Sequence, residues 1–235
     1  MTDRRPPDST LIRTASQSGL AALERLDVPL VVLVGGATGT GKSTVATEVA
    51  HRLGITRLTS TDVVRQTMRA FFSREFMPSI HHSSFEAASV VSASDEVEAD
   101  PVLLGFLEQT RNVLVGVKAV LARALEEGYS LALEGVHLVP GMIHPLDGAV
   151  FCHVLLAIED EDEHAAHFWT RDGEGLRPFE KYLRALPEIR RVQDYLVERA
   201  AKVRVPVIEN TSVDHTVDHV IELVLAEVER VHAAS

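Results

Sequence analysis

An apolar run, Leu30-Val31-Val32-Leu33-Val34, opens through Gly35 into Gly36-Ala37-Thr38-Gly39-Thr40-Gly41-Lys42-Ser43 and then into a helical pattern. Strand, glycine loop and helix in that order are the sequence form of a P-loop, and they commit the chain to an α/β sheet. Phosphate oxygens must be met by several backbone N–H groups at once. Glycines at Gly36, Gly39 and Gly41 let the chain curl that tightly without a Cβ clash. The helix that follows turns its unpaired N-terminal N–H groups and positive dipole end toward the same oxygens. Lys42 reaches the β- and γ-phosphates, and the Ser43 hydroxyl is placed to ligate Mg²⁺. The expected nucleotide-binding set is Gly36, Ala37, Thr38, Gly39, Thr40, Gly41, Lys42, Ser43 and Thr44, for a nucleoside triphosphate with Mg²⁺.

Composition narrows the setting. The 235 residues, 46% of them hydrophobic, suffice for one α/β domain with an inserted lid. No run approaches the roughly 20 apolar residues of a membrane span. Met1 to Pro7 is charged and proline-rich where a signal peptide needs an apolar core, so a cytoplasmic location is expected. Cys152 is the sole cysteine, which excludes an intramolecular disulfide and a cysteine-rich zinc site; its apolar surroundings suggest a small core residue. A net charge of −11 argues against a nucleic-acid binder. Residues 171 to 204 run the other way, with nine basic against six acidic side chains. That points to a small anion handled by one segment. No sequence signal bears on oligomeric state.

Hydrophobic periodicity predicts the order of elements. Residues 1 to 13 read as a disordered lead and Thr14 to Leu26 as a short helix. Strands are expected at Ile55 to Ser60, Ser130 to Glu134, Phe151 to Ile158 and Val205 to Glu209, each a short apolar run suited to a buried parallel sheet. Asp62 is the expected N-cap of a helix whose apolar face is Val64, Met68, Phe71 and Phe72. Long helices are expected from Pro101 to Glu127 and from Val213 to His232. The fold class is therefore a doubly wound α/β structure with a five-stranded parallel sheet. Ligands bind at the carboxyl ends of such strands, where Asp62 and Glu134 fall.

Three further features carry chemistry. Asp62 stands at a strand end with Arg65 and Arg69 one helical turn apart. This suits an acceptor site, in which the carboxylate orients a hydroxyl and paired guanidiniums hold an anion; a capped surface helix with two solvated arginines has the same pattern. Glu134 closes a buried strand where an acid is needed to hold Mg²⁺, directly or through water, although a merely paired glutamate fits too. His137, three residues on, either touches substrate or satisfies a turn. Arg171 and Arg177, with Gly173 and Gly175 between them, suit a mobile segment that neutralises phosphates during transfer, or else a salt-bridged helical surface. His81 and His82 lack a third nearby metal ligand, which leaves them a loop or substrate role.

Taken in order, Gly35-Gly36-Ala37-Thr38-Gly39-Thr40-Gly41-Lys42-Ser43-Thr44, Ser60-Thr61-Asp62 with Arg65 and Met68-Arg69, and His82-Ser83-Ser84-Phe85 with Ala87 resemble the 2-phosphoglycerate kinase family. So do Glu134-Gly135-Val136-His137-Leu138-Val139-Pro140-Gly141, Arg177-Pro178 with Tyr182, Ile189-Arg190 with Tyr195, and Val205-Pro206-Val207-Ile208-Glu209-Asn210. Phe85 stands where the family pattern has tyrosine. The resemblance implies a single P-loop kinase domain of the nucleoside-monophosphate-kinase type over residues 1–235, with a small helical lid at about 167–191. It implies ATP and Mg²⁺ as cofactors and transfer of the γ-phosphoryl group to the C3 hydroxyl of 2-phosphoglycerate. Lys42 and Ser43 would serve ATP and Mg²⁺, with Asp62 facing the acceptor hydroxyl. Arg65, Arg69, Ser83, Ser84 and His137 would be candidates for the acceptor's anionic groups, and Arg171 and Arg177 would act from the lid. Another small alcohol, such as a sugar acid, nucleoside or antibiotic, is the rival acceptor. A regulatory NTP-binding switch with no acceptor is the rival class, against which stands the absence of an Asn-Lys-x-Asp sequence of the kind that reads guanine.

Overall fold

A computed structural model describes residues 27–87, 100–172 and 179–234. The expected lead and Thr14 to Leu26 helix, Arg177 and the side chain of Arg171 lie outside the described residues. Within them, five parallel strands form one sheet, in the order β2-β3-β1-β4-β5. The strands are β1 (Leu30–Gly36), β2 (Leu58–Ser60), β3 (Leu131–Gly135), β4 (Val150–Ala157) and β5 (Val207–Glu209). The helices are α1 (Lys42–Arg52), α2 (Thr61–Phe71), α3 (Pro101–Glu127), α4 (Glu161–Asp172), α5 (Phe179–Arg184), α6 (Leu186–Val203) and α7 (Val213–Ala234), with a 3₁₀ turn at Pro78–His81.

β1 is buried along its whole length because helices cover both of its faces. Leu30, Val32 and Val34 pack with α1 and α7, whose stripe includes Val217, Val220, Val224 and Val228. Val31 and Leu33 pack on the opposite side with Val113, Leu114, Val117 and Leu121 of α3. Each fully buried Val or Leu is worth about 1.5–3 kcal/mol, which is why the central strand reads as continuous rather than alternating hydrophobicity. α3 begins and ends where its sequence says. Asp100 Oδ1 accepts from Val102 N at 2.9 Å, Pro101 occupies the first turn, and Gly128 at φ 66° closes it.

Two strands are shorter than their apolar runs. β2 starts at Leu58, because Ile55 N is bonded to Ala50 O at 2.8 Å and still belongs to the end of α1. β5 starts at Val207, because Val205 N is held by Ala200 O at the end of α6 and Pro206 has no N–H to give. α2 also departs from expectation. Its cap is Ser60, whose Oγ accepts from Val63 N at 3.1 Å; Asp62 sits in the first turn, where its charge complements the helix dipole. Phe71, expected on the apolar face, is 80% exposed, since only Thr61 and Val64 of this helix are buried. Cys152 is a core residue as expected, and burial pushes its thiol up to about 12, with Glu227 adding to the rise.

Candidate active site

The loop between β1 and α1 is gripped from outside. Asn210 Nδ2, just past β5, donates to Thr40 O at 3.0 Å, and its amide is oriented by the Thr216 hydroxyl, which donates to Asn210 Oδ1 at 2.8 Å. From α4, His164 Nε2 donates to Thr38 O at 2.8 Å and His167 Nδ1 to Gly39 O at 3.1 Å. A planar peptide points its C=O and N–H in opposite directions. Holding the Thr38 and Thr40 carbonyls outward therefore turns the Gly39 and Gly41 N–H groups to the inner side, where phosphate oxygens need them. Gly41, at φ 79°, begins α1, and a Cβ there would overlap Asn210 Nδ2. Nothing in the local sequence marks Asn210, His164 or His167 as partners of the loop, since their contacts span more than a hundred residues.

Sheet register then assembles the rest. Val34, Glu134 and Ser60 lie in one row across neighbouring strands, so the carboxylate and the α2 N-terminus meet the loop at the sheet's carboxyl edge. Ser43 Oγ donates to Glu134 Oε1 at 3.1 Å. Lys42, 7% exposed, folds its ammonium onto Ala37 O at 2.5 Å. Together they border a cleft of about 490 Å³. Its lining brings together Thr38, Lys42, Ser43, Asp62, Arg65, Ser83, Ser84 and Glu134 of the expected set, and adds Ser60, Phe85, Gly135, Val136, Lys181 and Tyr182. Thr44, with Ser43, Thr47 and Val213, borders a second hollow beside α7.

Arg65 and Arg69 do not act as a pair. Arg65 gives Nε and Nη2 to Asp62 Oδ1 at 3.2 and 3.1 Å, and Nη1 to the carbonyls of Ile80 and His82 at 3.1 and 2.9 Å. Its fork holds protein rather than standing open. Arg69 does not line the cleft and donates to Gln66 Oε1 at 3.1 Å. Desolvation acts to raise the Asp62 carboxyl, but the Arg65 charge and hydrogen bonds, with Lys42 beyond, outweigh it and hold the group below its usual range.

His137 also departs from its expected contact with the acceptor. It is fully buried and does not line the cleft. Gln109 Nε2 donates to the Ser79 and His82 carbonyls at 2.6 and 3.0 Å, which leaves Oε1 as the acceptor for His137 Nε2–H at 2.9 Å. Nδ1 therefore carries the lone pair and accepts from the Thr61 hydroxyl at 2.9 Å. Burial pushes the imidazole down to about 3, which keeps it neutral and matches this tautomer. The chain Thr61–His137–Gln109 ties the start of α2 and the end of β3 to segment 79–82, which leads into Ser83 and Ser84. Gly135 makes the close approach possible: at φ 150° a Cβ would overlap Thr61 Oγ1.

Ser43 and Glu134 suit a hard cation, because they offer a hydroxyl and a carboxylate within hydrogen-bonding distance. Mg²⁺ keeps waters and takes phosphate oxygens for its remaining positions, so two protein ligands suffice. His81 has another role, donating Nε2–H to Phe72 O at 2.9 Å. Among the described residues no group of three His, Cys, Asp or Glu side chains could hold a metal ion, and no helix is long and apolar enough to cross a membrane.

No family model matches the chain. Solved structures of a gluconokinase from Sinorhizobium meliloti and a Thermus thermophilus protein share its fold, with TM-scores of 0.51 and 0.52 at 14% and 22% identity. They cover 88% and 86% of this chain and 98% of each of theirs. The relationship by sequence is much nearer. A protein from Thermococcus kodakarensis named 2-phosphoglycerate kinase is 44% identical over 207 residues, which are 88% of this chain and 70% of the relative. Those of the same name from Methanopyrus kandleri and Methanothermobacter thermautotrophicus are 40% and 41% identical over 206 and 198 residues, covering 86% and 83% of this chain. The chain spans 62% and 65% of their lengths, about two thirds. Identity at this level over most of the chain, with 70% of the Thermococcus kodakarensis relative covered, makes the chain a member of the 2-phosphoglycerate kinase family.

Proposed function

We propose that this chain transfers the γ-phosphoryl group of Mg-ATP to the free hydroxyl of 2-phosphoglycerate, giving 2,3-bisphosphoglycerate and ADP. The observation that carries this reading is a single cleft in which Lys42 and Ser43 stand beside Asp62, Ser83 and Ser84, a phosphate cradle next to a second polar pocket. The name shared by the relatives described above, 2-phosphoglycerate kinase, supplies the acceptor. Ser43 and Glu134 would hold Mg²⁺, which when bound neutralises charge on the donor phosphates. Phosphoryl transfer passes through a loose transition state, so the protein chiefly positions and neutralises. Lys42 meets the charge building on the donor phosphates. Asp62 Oδ2, without a hydrogen-bond partner among the described residues, accepts the acceptor's O–H and aims its oxygen at the γ-phosphorus. The new P–O bond forms as the bond to ADP breaks, and the hydroxyl proton leaves through Asp62 to water. A carboxylate held low is a weak base, which suits orientation more than early proton removal.

An acceptor panel tests the reading. With Mg-ATP, 2-phosphoglycerate should be turned over with formation of a bisphosphorylated product, and clear turnover of a sugar acid or nucleoside without turnover of 2-phosphoglycerate would replace it.

Arg65→Ala should raise the acceptor KM by about tenfold or more while the KM for ATP stays within about twofold, because the carbonyls of Ile80 and His82 and the following serines lose their anchor. The acidic limb of the kcat profile should move to higher pH. With the arginine gone, desolvation acts on Asp62 with less opposition and its carboxyl rises. A change confined to the KM for ATP would place Arg65 on the donor side.

A further inference from the structure

Three cations line the cleft among the described residues, and two of them are committed. Lys42 lies folded in the glycine loop against Ala37 O, on the donor side. Arg65 spends Nε and Nη2 on Asp62 and Nη1 on two backbone carbonyls. Neither is an open ligand for the charge an acceptor such as 2-phosphoglycerate brings. The third, Lys181, comes from α5 on the far wall. Its ammonium lies 2.9 Å from Glu86 Oε2 and 3.3 Å from Ser83 Oγ, and 5.7 Å from the centre of the Phe85 ring. Both side chains of the ion pair are more than two fifths exposed. Exposed pairs of this kind hold weakly, and a lysine head on its flexible stem redirects easily.

We infer that Lys181 binds the phosphate of the acceptor, exchanging the Glu86 carboxylate for the incoming dianion beside Ser83 and Ser84, and so decides that the substrate is a phosphorylated alcohol. The assignment rests on the function proposed above and names the group that makes it selective. Phosphate offers more charge and more acceptor oxygens than the carboxylate it displaces. Ser83 Oγ, already within reach of the ammonium, lies where the same anion would take a second hydrogen bond. The position of α5 is tied to the donor side as well. Tyr182 stacks on Phe168 at 5.2 Å, and Phe168 lies against Gly39 of the glycine loop. The helix that carries Lys181 is therefore held in place relative to the donor cradle while the lysine head swings, which favours an acceptor whose phosphate lies within a lysine's reach of that wall.

The test compares 2-phosphoglycerate with glycerate, which lacks only the phosphate. Lys181→Met should raise the KM for 2-phosphoglycerate about tenfold to a hundredfold, leave the KM for ATP within about twofold, and hardly affect the poor turnover of glycerate, so that discrimination between the two collapses. Lys181→Arg should recover part of the loss. Glu86→Gln removes the competing carboxylate and should lower the KM for 2-phosphoglycerate or leave it unchanged. Equal losses with both acceptors, or a Glu86→Gln variant as impaired as Lys181→Met, would show that the ion pair only braces the fold and would overturn the assignment. If the wild-type chain turns over a different phosphorylated alcohol, the proposed function falls while the same comparison with that alcohol and its dephosphorylated form still decides Lys181. Turnover of unphosphorylated alcohols alone would overturn both.

Discussion

Lys42→Met is expected to lower kcat for phosphoryl transfer by roughly a thousandfold or more while the thermal unfolding midpoint is retained. The Lys42 side chain is almost wholly buried against the glycine loop, with its stem beside Gly36 and its ammonium on Ala37 O, where the donor's terminal phosphates must lie. Removing the charge leaves the N–H groups of the loop in place, because Asn210, His164 and His167 hold the outward carbonyls independently of Lys42. The variant should therefore still bind nucleotide, though more weakly, and lose the stabilisation that grows as the γ-phosphoryl group leaves. Methionine keeps most of the side-chain volume in a site that is 7% exposed, so packing should survive. Steady-state rates with calorimetric nucleotide binding and a thermal melt separate these effects. Wild-type turnover in this variant would remove the loop from the catalytic assignment.

The second large effect is on stability and comes from three buried imidazoles. Burial is the first cause in each case, and it pushes His137 down to about 3 and His153 and His164 down to about 4. In the unfolded chain the same groups titrate near 6.5. Below that pH the unfolded state takes up protons that the folded state refuses, so the folded state loses ground as pH falls and recovers as pH rises. Full stability from these groups is present above about 6.5 and is lost progressively toward about 4, at about 1.4 kcal/mol per pH unit for each. Carbonyls of Leu138 and Thr38 ease the penalty at His153 and His164, and the Asp62 charge eases it at His137, whose loss nevertheless continues to the lowest pH of the three. From pH 7.5 to 5 the sum should reach several kcal/mol, a large part of the ~5–15 kcal/mol that holds a typical domain together. Urea midpoints at pH 7.5, 6 and 5 should fall in order. A midpoint that stays level across that range would mean that water reaches these rings in the folded protein.

His137 illustrates how far the sequence could be read. Its place three residues beyond a strand-end glutamate located it correctly at the carboxyl edge of the sheet, yet its fate depended on Gln109 and Thr61, distant in sequence. Arg65 and Arg69 show the same limit. Helical spacing put them on one face, but which of them meets the cleft was decided by the carbonyls of Ile80 and His82, which arrive from the turn before Ser83. Lys181 appeared in the sequence only as one positive charge in a basic segment. Its position opposite Ser83 and Glu86 follows from α5 packing across the cleft through Phe85, Tyr182 and Phe168.

The alternation of strands and helices, the glycine loop, the boundaries of α3 and the carboxylate closing β3 were all present in the amino-acid order, because glycine sterics, capping and hydrophobic periodicity act between near neighbours. The strand order β2-β3-β1-β4-β5, the outward grip on the loop carbonyls and the division of labour among Lys42, Arg65 and Lys181 were settled only by tertiary structure. Each is a matter of which distant group satisfies a given donor or charge, and no local pattern encodes that partner.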